Sequence, residues 1–348
     1  TGVRVCLILL VVFIHNVVRE VHLAGEKVII QTPVPVDFIR TLVSGFLGGL
    51  AVPTFFFISG YLLFVKNENY GSMLKKKCRT MLRPYILWNV IIFFAFFICQ
   101  KISFLRQYFA TIIIDEMSWK DFAGLFTGRI SEGAEGLFPP LVYQFWFLRE
   151  LFFCIILSPV VKKLTEKVPL FYGAFIIFMI NSNLFYGGFR TALFYFSLSA
   201  FSVKFSLNYK TLDKIKYRDI GLLFAITLGL STFYYFTNLD APALFGTLST
   251  ITGGLFFLKL SGSLCMNENT FCFLKKLSTF SFWLYATHDP FLITPIKKLW
   301  TKFLPINGYF LVAEYFGAVI LTVVISLAVG MLLKKIFPRV FAVLTGGR

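Results

Sequence analysis

Charge is scarce in this chain. Only 15% of its 348 residues are charged, against about a quarter in an ordinary soluble domain. With 57% apolar residues and a mean hydropathy of +0.76, that scarcity excludes a soluble globular protein. Acidic residues are the scarcest, 17 against 34 Lys and Arg, for a net charge of +17. Six cysteines are scattered without a C-x-x-C pair, so neither a disulfide framework nor a zinc site is indicated. The alternating polarity of a transmembrane β-barrel is missing, as are internal repeats, low-complexity stretches and the matched Gly- or Pro-broken spans of many transporters.

What is present is a series of long apolar runs rich in Phe, Ile and Leu. A bilayer core of about 30 Å needs about 20 mostly apolar residues per helix. On that rule about ten spans are predicted, at 3–18, 41–65, 82–100, 142–160, 168–184, 190–206, 219–237, 242–260, 277–294 and 309–333. The expected class is therefore an all-α membrane protein, a multi-pass bundle of about ten transmembrane helices. The first run is followed by others, so it reads as a helix and not as a cleaved signal peptide.

Lys and Arg collect on cytoplasmic loops. With both termini cytoplasmic, that side carries 22 of the 34 basic residues and 5 of the 17 acidic ones. The whole +17 then belongs to one face, a topology signal with no nucleic-acid partner behind it. The outer segment with Lys297, Lys298 and Lys302 runs against the rule. The longest connection, 101–141, falls outside and contains Asp115, Glu116, Trp119, Asp121, Glu132 and Glu135; loops of that length are often functional. Residues 1–348 read as one transmembrane domain without an appended soluble domain.

Of three histidines, His22 lies in an outer connection and is given no role. Arg4 and His15 stand eleven positions apart in the first run, about three helical turns, so they share one face of a helix. An ionisable group near the bilayer centre suggests function, although polar glue between helices also explains a lone histidine. His15 suits a general base, a proton relay or a metal ligand; no H-x-x-x-H or carboxylate cluster accompanies it, so no metal is expected. Ser59-Gly60 is a small pair admitting a backbone or a ligand. The basic run Lys75, Lys76, Lys77 and Arg79 follows, closed by Arg83-Pro84-Tyr85. Its cations suit phosphate groups, or simply anchor the cytoplasmic face.

Arg149 and Glu150 are adjacent charges at the start of the fourth span. Sequence neighbours do not face each other on a helix, so separate partners are expected for them. Ser278, Ser281, Tyr285 and His288 recur at steps of 3, 4 and 3, one stripe of a continuous ninth helix. Counted along their helices, His288 and His15 reach one depth and suggest a shared polar cavity. Intramembrane histidines also fit a proton-coupled transporter or exporter, or a sensory membrane domain without transfer activity.

These residues together resemble the membrane-bound acyltransferase 3 family. The likeness rests on R-x10-H at Arg4 and His15, FF-x-x-SG at Phe56 to Gly60, the basic run leading to Pro84-Tyr85, WFLR at Trp146 to Arg149, and the run ending at His288. Pro53 stands where many members carry an acidic residue. The resemblance implies an inner-membrane enzyme moving an acyl group, usually acetyl, from cytoplasmic acyl-coenzyme A to a hydroxyl of a cell-surface glycan or its lipid-linked precursor. It implies His15 and Arg4 as catalytic residues, and the family's basic motif falls on Lys76, Lys77 and Arg79. With Ser59, these cations form the expected acetyl-coenzyme A site; Arg149, Glu150, Tyr285 and His288 are the expected acceptor side.

Overall fold

A computed structural model describes residues 2–347 except 18–19, 24–25, 67, 104–122, 125, 127–140, 183–184, 238, 240–242 and 306. Almost all of the 101–141 connection therefore lies outside the described residues. Among the described residues the elements are helices, apart from one antiparallel hairpin, β1 (Glu20–Leu23) with β2 (Glu26–Ile29).

The helices are α1 (Gly2–Ile14), α2 (Val34–Lys66), α3 (Tyr70–Lys101), α4 (Tyr143–Ile156), α5 (Ser158–Lys167), α6 (Pro169–Ile180), α7 (Gly187–Lys204) and α8 (Tyr209–Lys214). They continue as α9 (Tyr217–Thr237), α10 (Ala243–Leu264), α11 (Glu268–Ser278), α12 (Ser281–Thr287), α13 (Ile293–Phe303), α14 (Phe310–Ile336) and α15 (Pro338–Leu344). Among the described residues, α2, α3, α9 and α14 are long and apolar enough to cross a membrane by length and composition. The α4 and α5 pair passes the same test together but bends by 55°. The predicted span 142–160 is thus two helices, because Pro159 lacks the N–H that would continue the ladder and its ring crowds the preceding turn.

Local chemistry accounts for the helix boundaries. The Asn69 side chain accepts from the N–H groups of Gly71 and Ser72 to start α3, and Asn267 does the same for Thr270 at α11. Asn208 and Thr211 form a reciprocal cap on α8. These side chains take up backbone donors that a helix start leaves without partners. Inside the apolar helices, Thr54, Thr227, Ser231 and Thr322 bond back to the carbonyls of Leu50, Leu223, Thr227 and Ala318. Each hydroxyl is thereby satisfied where no water is available.

The chain forms two compact units, with boundaries inside α2, inside α7 and between α14 and α15. The first comprises 1–59 and 202–336. Its core gathers Val3, Leu7, Ile8, Val11 and Val12 of α1 with Ala51, Leu284, Ile293 and Val319. There α9 and α10 pack through Phe224 and Phe256 and the Thr227–Thr252 hydroxyl contact of 3.1 Å. The second unit comprises 60–201 and 337–348. Trp88 of α3 donates to the Leu344 carbonyl of α15 at 3.0 Å, and Asn89 accepts from the Val142 N–H at 3.0 Å. A Cβ on Gly60 would strike the Ser199 hydroxyl and the Phe196 ring, so helix contact alone accounts for the glycine of the Ser59-Gly60 pair.

Candidate active site

The site lies in the first unit, where α1 and the α12–α13 segment end in non-helical backbone. α1 stops at Ile14, and His15 occupies the turn that follows, its N–H reaching the Val12 carbonyl at 3.3 Å. The expectation of one unbroken helix over 3–18 is corrected: Arg4 is exposed in the first turn and His15 is half-buried beyond the last. The ninth span is broken as well. α11 ends at Ser278, α12 begins at Ser281, and Asp289 leaves the helical backbone at φ −144° and ψ 144°. Proline removes an N–H and pushes the residue before it towards extended conformation, which places the break at Asp289-Pro290. The Ser278–His288 stripe is therefore not one helix face. Ser278 is half-buried and donates to the Lys275 carbonyl, whereas Ser281 lies across the break.

His288 lies against the end of α1. Its Nδ1 lies 2.8 Å from the Tyr285 carbonyl and 3.2 Å from that of Leu284. Carbonyl oxygens only accept, so Nδ1 carries the proton and Nε2 presents a lone pair. His288 is fully buried, and its Nε2 has no hydrogen-bond partner among the described residues. The His15 ring lies against it, centroids 5.1 Å apart and tilted by 40°, with the Tyr285 ring at 6.2 Å. The two histidine rings are thus in contact.

Charges without an assigned role in the sequence surround this pair. Lys297 of α13 donates to the His15 carbonyl at 2.9 Å, a cation at the C-terminal end of α1, where the helix dipole favours one. This lysine, one of three in a segment expected on the outer side, thus has a structural employment. Asp289 is buried and accepts from the Thr294 hydroxyl at 2.8 Å. Arg40 of α2 and Glu314 of α14 form a buried pair at 3.4 Å. Asn16 donates to the Tyr315 carbonyl at 2.7 Å, and Ser44 bonds both the Phe13 carbonyl and the Tyr315 hydroxyl, at 2.6 and 2.5 Å. Glu314, a lone acid inside the apolar run 309–333, is the one readable signal among them; in sequence Arg40 and Lys297 look like span-end and loop charges.

In the second unit, Arg149 and Glu150 do pair with each other, contrary to expectation. The guanidinium reaches the carboxylate at 2.7 and 2.8 Å, and the Tyr186 hydroxyl joins both, 3.0 Å from Arg149 and 3.2 Å from Glu150. The i, i+1 rule describes Cβ directions. Here both side chains are buried, and a long flexible arm curls to its neighbour because no water is at hand to solvate it. Of the expected donor-site cations, Lys76 is paired with Glu68 at 3.7 Å, both partly exposed; Lys77 is half-buried, and Arg79 is exposed. Arg4 and Ser59 belong to the first unit and these cations to the second. Among the described residues no three His, Cys, Asp or Glu side chains are grouped to hold a metal ion.

A histidine pair flanked by charges serves proton transfer in several chemistries, and comparison with known proteins decides the class. A family model described as an acyltransferase domain matches residues 1–331. The chain belongs to the acyltransferase 3 family. It is also 27% identical over 326 residues to the succinoglycan biosynthesis protein ExoH of Rhizobium meliloti (strain 1021), covering 90% of this chain and 83% of that protein. No solved structure matches it. The family places His15 and His288 inside an acyltransferase, and its apolar helices make it a membrane protein.

Proposed function

We propose that this acyltransferase moves an acyl group, acetyl in the first instance, from cytoplasmic acyl-coenzyme A to a hydroxyl of a cell-surface polysaccharide or its lipid-linked precursor. The observation that carries the reading is the contact between the half-buried His15 ring and the buried His288 ring, flanked by charges in a chain of this family. The similarity to a succinoglycan biosynthesis protein supports a polysaccharide acceptor. In this reading the chain crosses the inner membrane about ten times with both termini cytoplasmic, the shorter and broken helices serving as spans beside the four long ones.

Coenzyme A carries phosphates at its nucleotide end and a thioester on a long thin arm. Cations hold such phosphates; within the second unit that task falls to Lys76, Lys77 and Arg79, and within the first unit Arg4 and Ser59 are separate candidates for contact with the donor. His15 removes the proton of the acceptor hydroxyl, or first accepts the acyl group itself. Arg149 and Glu150 of the second unit hold the acceptor. Arg149→Ala is expected to raise the acceptor's apparent KM at least about tenfold while leaving that of acetyl-coenzyme A within about twofold; the reverse pattern in steady-state kinetics removes Arg149 from the acceptor side.

The reading is tested with the purified protein in nanodiscs cut from its native membrane, given labelled acetyl-coenzyme A. Release of free coenzyme A with label appearing on a saccharide supports it. Movement of solute across sealed vesicles with no consumption of acetyl-coenzyme A overturns it in favour of transport.

A further inference from the structure

We infer that His288 is a second proton-handling residue of the transfer, taking on Nε2 the proton of the attacking hydroxyl and returning it to His15. The inference rests on the acyltransfer reading and divides its chemistry between the two rings. Three features of His288 meet in no other described side chain. Its Nδ1 proton is committed to the carbonyls of Tyr285 and Leu284, which fixes the tautomer and the ring plane. Its Nε2 lone pair is fully buried and lacks a donor among the described residues. A buried acceptor left unpaired costs about 1–3 kcal/mol, and a hydroxyl brought by the substrate satisfies it. The adjacent residue is the buried Asp289, so a carboxylate stands beside the imidazolium that protonation creates.

The His15 ring, 5.1 Å away, then acts as the acyl carrier. In the first step a ring nitrogen of His15 attacks the thioester carbonyl. A C–N bond forms, the C–S bond breaks, and the thiolate leaves with the other ring proton of His15 as free coenzyme A. In the second step the hydroxyl oxygen attacks the acyl carbon. A C–O bond forms, the C–N bond breaks, the hydroxyl proton goes to Nε2 of His288, and His15 recovers a proton from it. Both rings end as they began, and no further reactant is needed. His288 lies against His15, the position that a relay requires, just before the helix breaks at Asp289.

The test compares wild type, His288→Ala and His288→Gln in native-membrane nanodiscs, following coenzyme A release from acetyl-coenzyme A before and during steady state. Both variants are expected to keep a burst of about one coenzyme A per protein and an unchanged affinity for acetyl-coenzyme A. Their steady-state turnover falls at least about a hundredfold, and added imidazole restores part of it in His288→Ala. Turnover within about threefold of wild type overturns the inference. So does a loss shared by burst and affinity that imidazole leaves untouched, which marks His288 as packing only. Wild type that releases no coenzyme A defeats the acyltransfer reading itself, a result separate from either variant outcome.

Discussion

His15→Ala is expected to lower coenzyme A release from acetyl-coenzyme A at least about a hundredfold, and up to about ten-thousandfold, the range that a positioned acid or base contributes. Stability should change little, because His15 occupies a turn beyond α1 and the α1 core residues Leu7, Ile8, Val11 and Val12 remain in place. What the substitution removes is the ring facing His288, while the backbone carbonyl held by Lys297 stays. Turnover in nanodiscs measures the effect, and the thermal unfolding midpoint of the same samples controls for folding. Unchanged turnover in a folded variant removes His15 from the chemistry. It leaves the His288 lone pair to be explained by a bound water.

Glu314→Ala is expected to destabilise the protein by about 3–5 kcal/mol, the usual result of breaking a buried ion pair from one side. The Arg40 and Glu314 side chains are only 3% and 1% exposed, so the guanidinium has no water to turn to when its carboxylate is gone. The pair Arg40→Met with Glu314→Leu is expected to recover most of that loss, since apolar groups of similar volume replace a buried pair with little net cost. Thermal unfolding of the three proteins in one detergent decides the matter. If Glu314→Ala unfolds within about 1 kcal/mol of wild type, the ion pair does not stabilise the first unit. The same experiment separates the structural employment of Arg40–Glu314 from the chemistry of the histidines, because the double variant restores packing without restoring charge.

Part of the site is legible in the amino-acid sequence. Arg4, His15 and His288 stand out because ionisable side chains are rare in apolar runs and costly at membrane depth. Depth counted along two continuous helices suggests a shared cavity for the histidines, although both helices break before or at those residues. Arg149 and Glu150 are equally visible, but the separate partners expected for them are not what forms. A rule about where Cβ atoms point does not follow a guanidinium along its flexible arm, and Tyr186, which completes the group, lies 36 residues away in sequence. Lys297 is visible too, yet its charge reads as topology when its work is to hold the His15 carbonyl, 282 residues away.

The helix breaks follow the same pattern. Pro159 and Pro290 announce themselves, yet an apolar run with a proline can kink, stop or stay straight depending on whether neighbouring groups take up the freed carbonyls. Here α4 and α5 bend, and the chain leaves helix at Asp289.

By itself the sequence determined the material of this protein. Its apolar runs and sparse charge demand membrane helices, because only a helix satisfies its own backbone in hydrocarbon, and its ordered motifs carry the acyltransferase 3 resemblance. Only the tertiary structure decided which charges work together. The His15–His288 contact, the Lys297 clasp and the Arg40–Glu314 pair each join residues more than 270 positions apart. Periodicity reports the face of one helix and is silent about the neighbour that the face will meet.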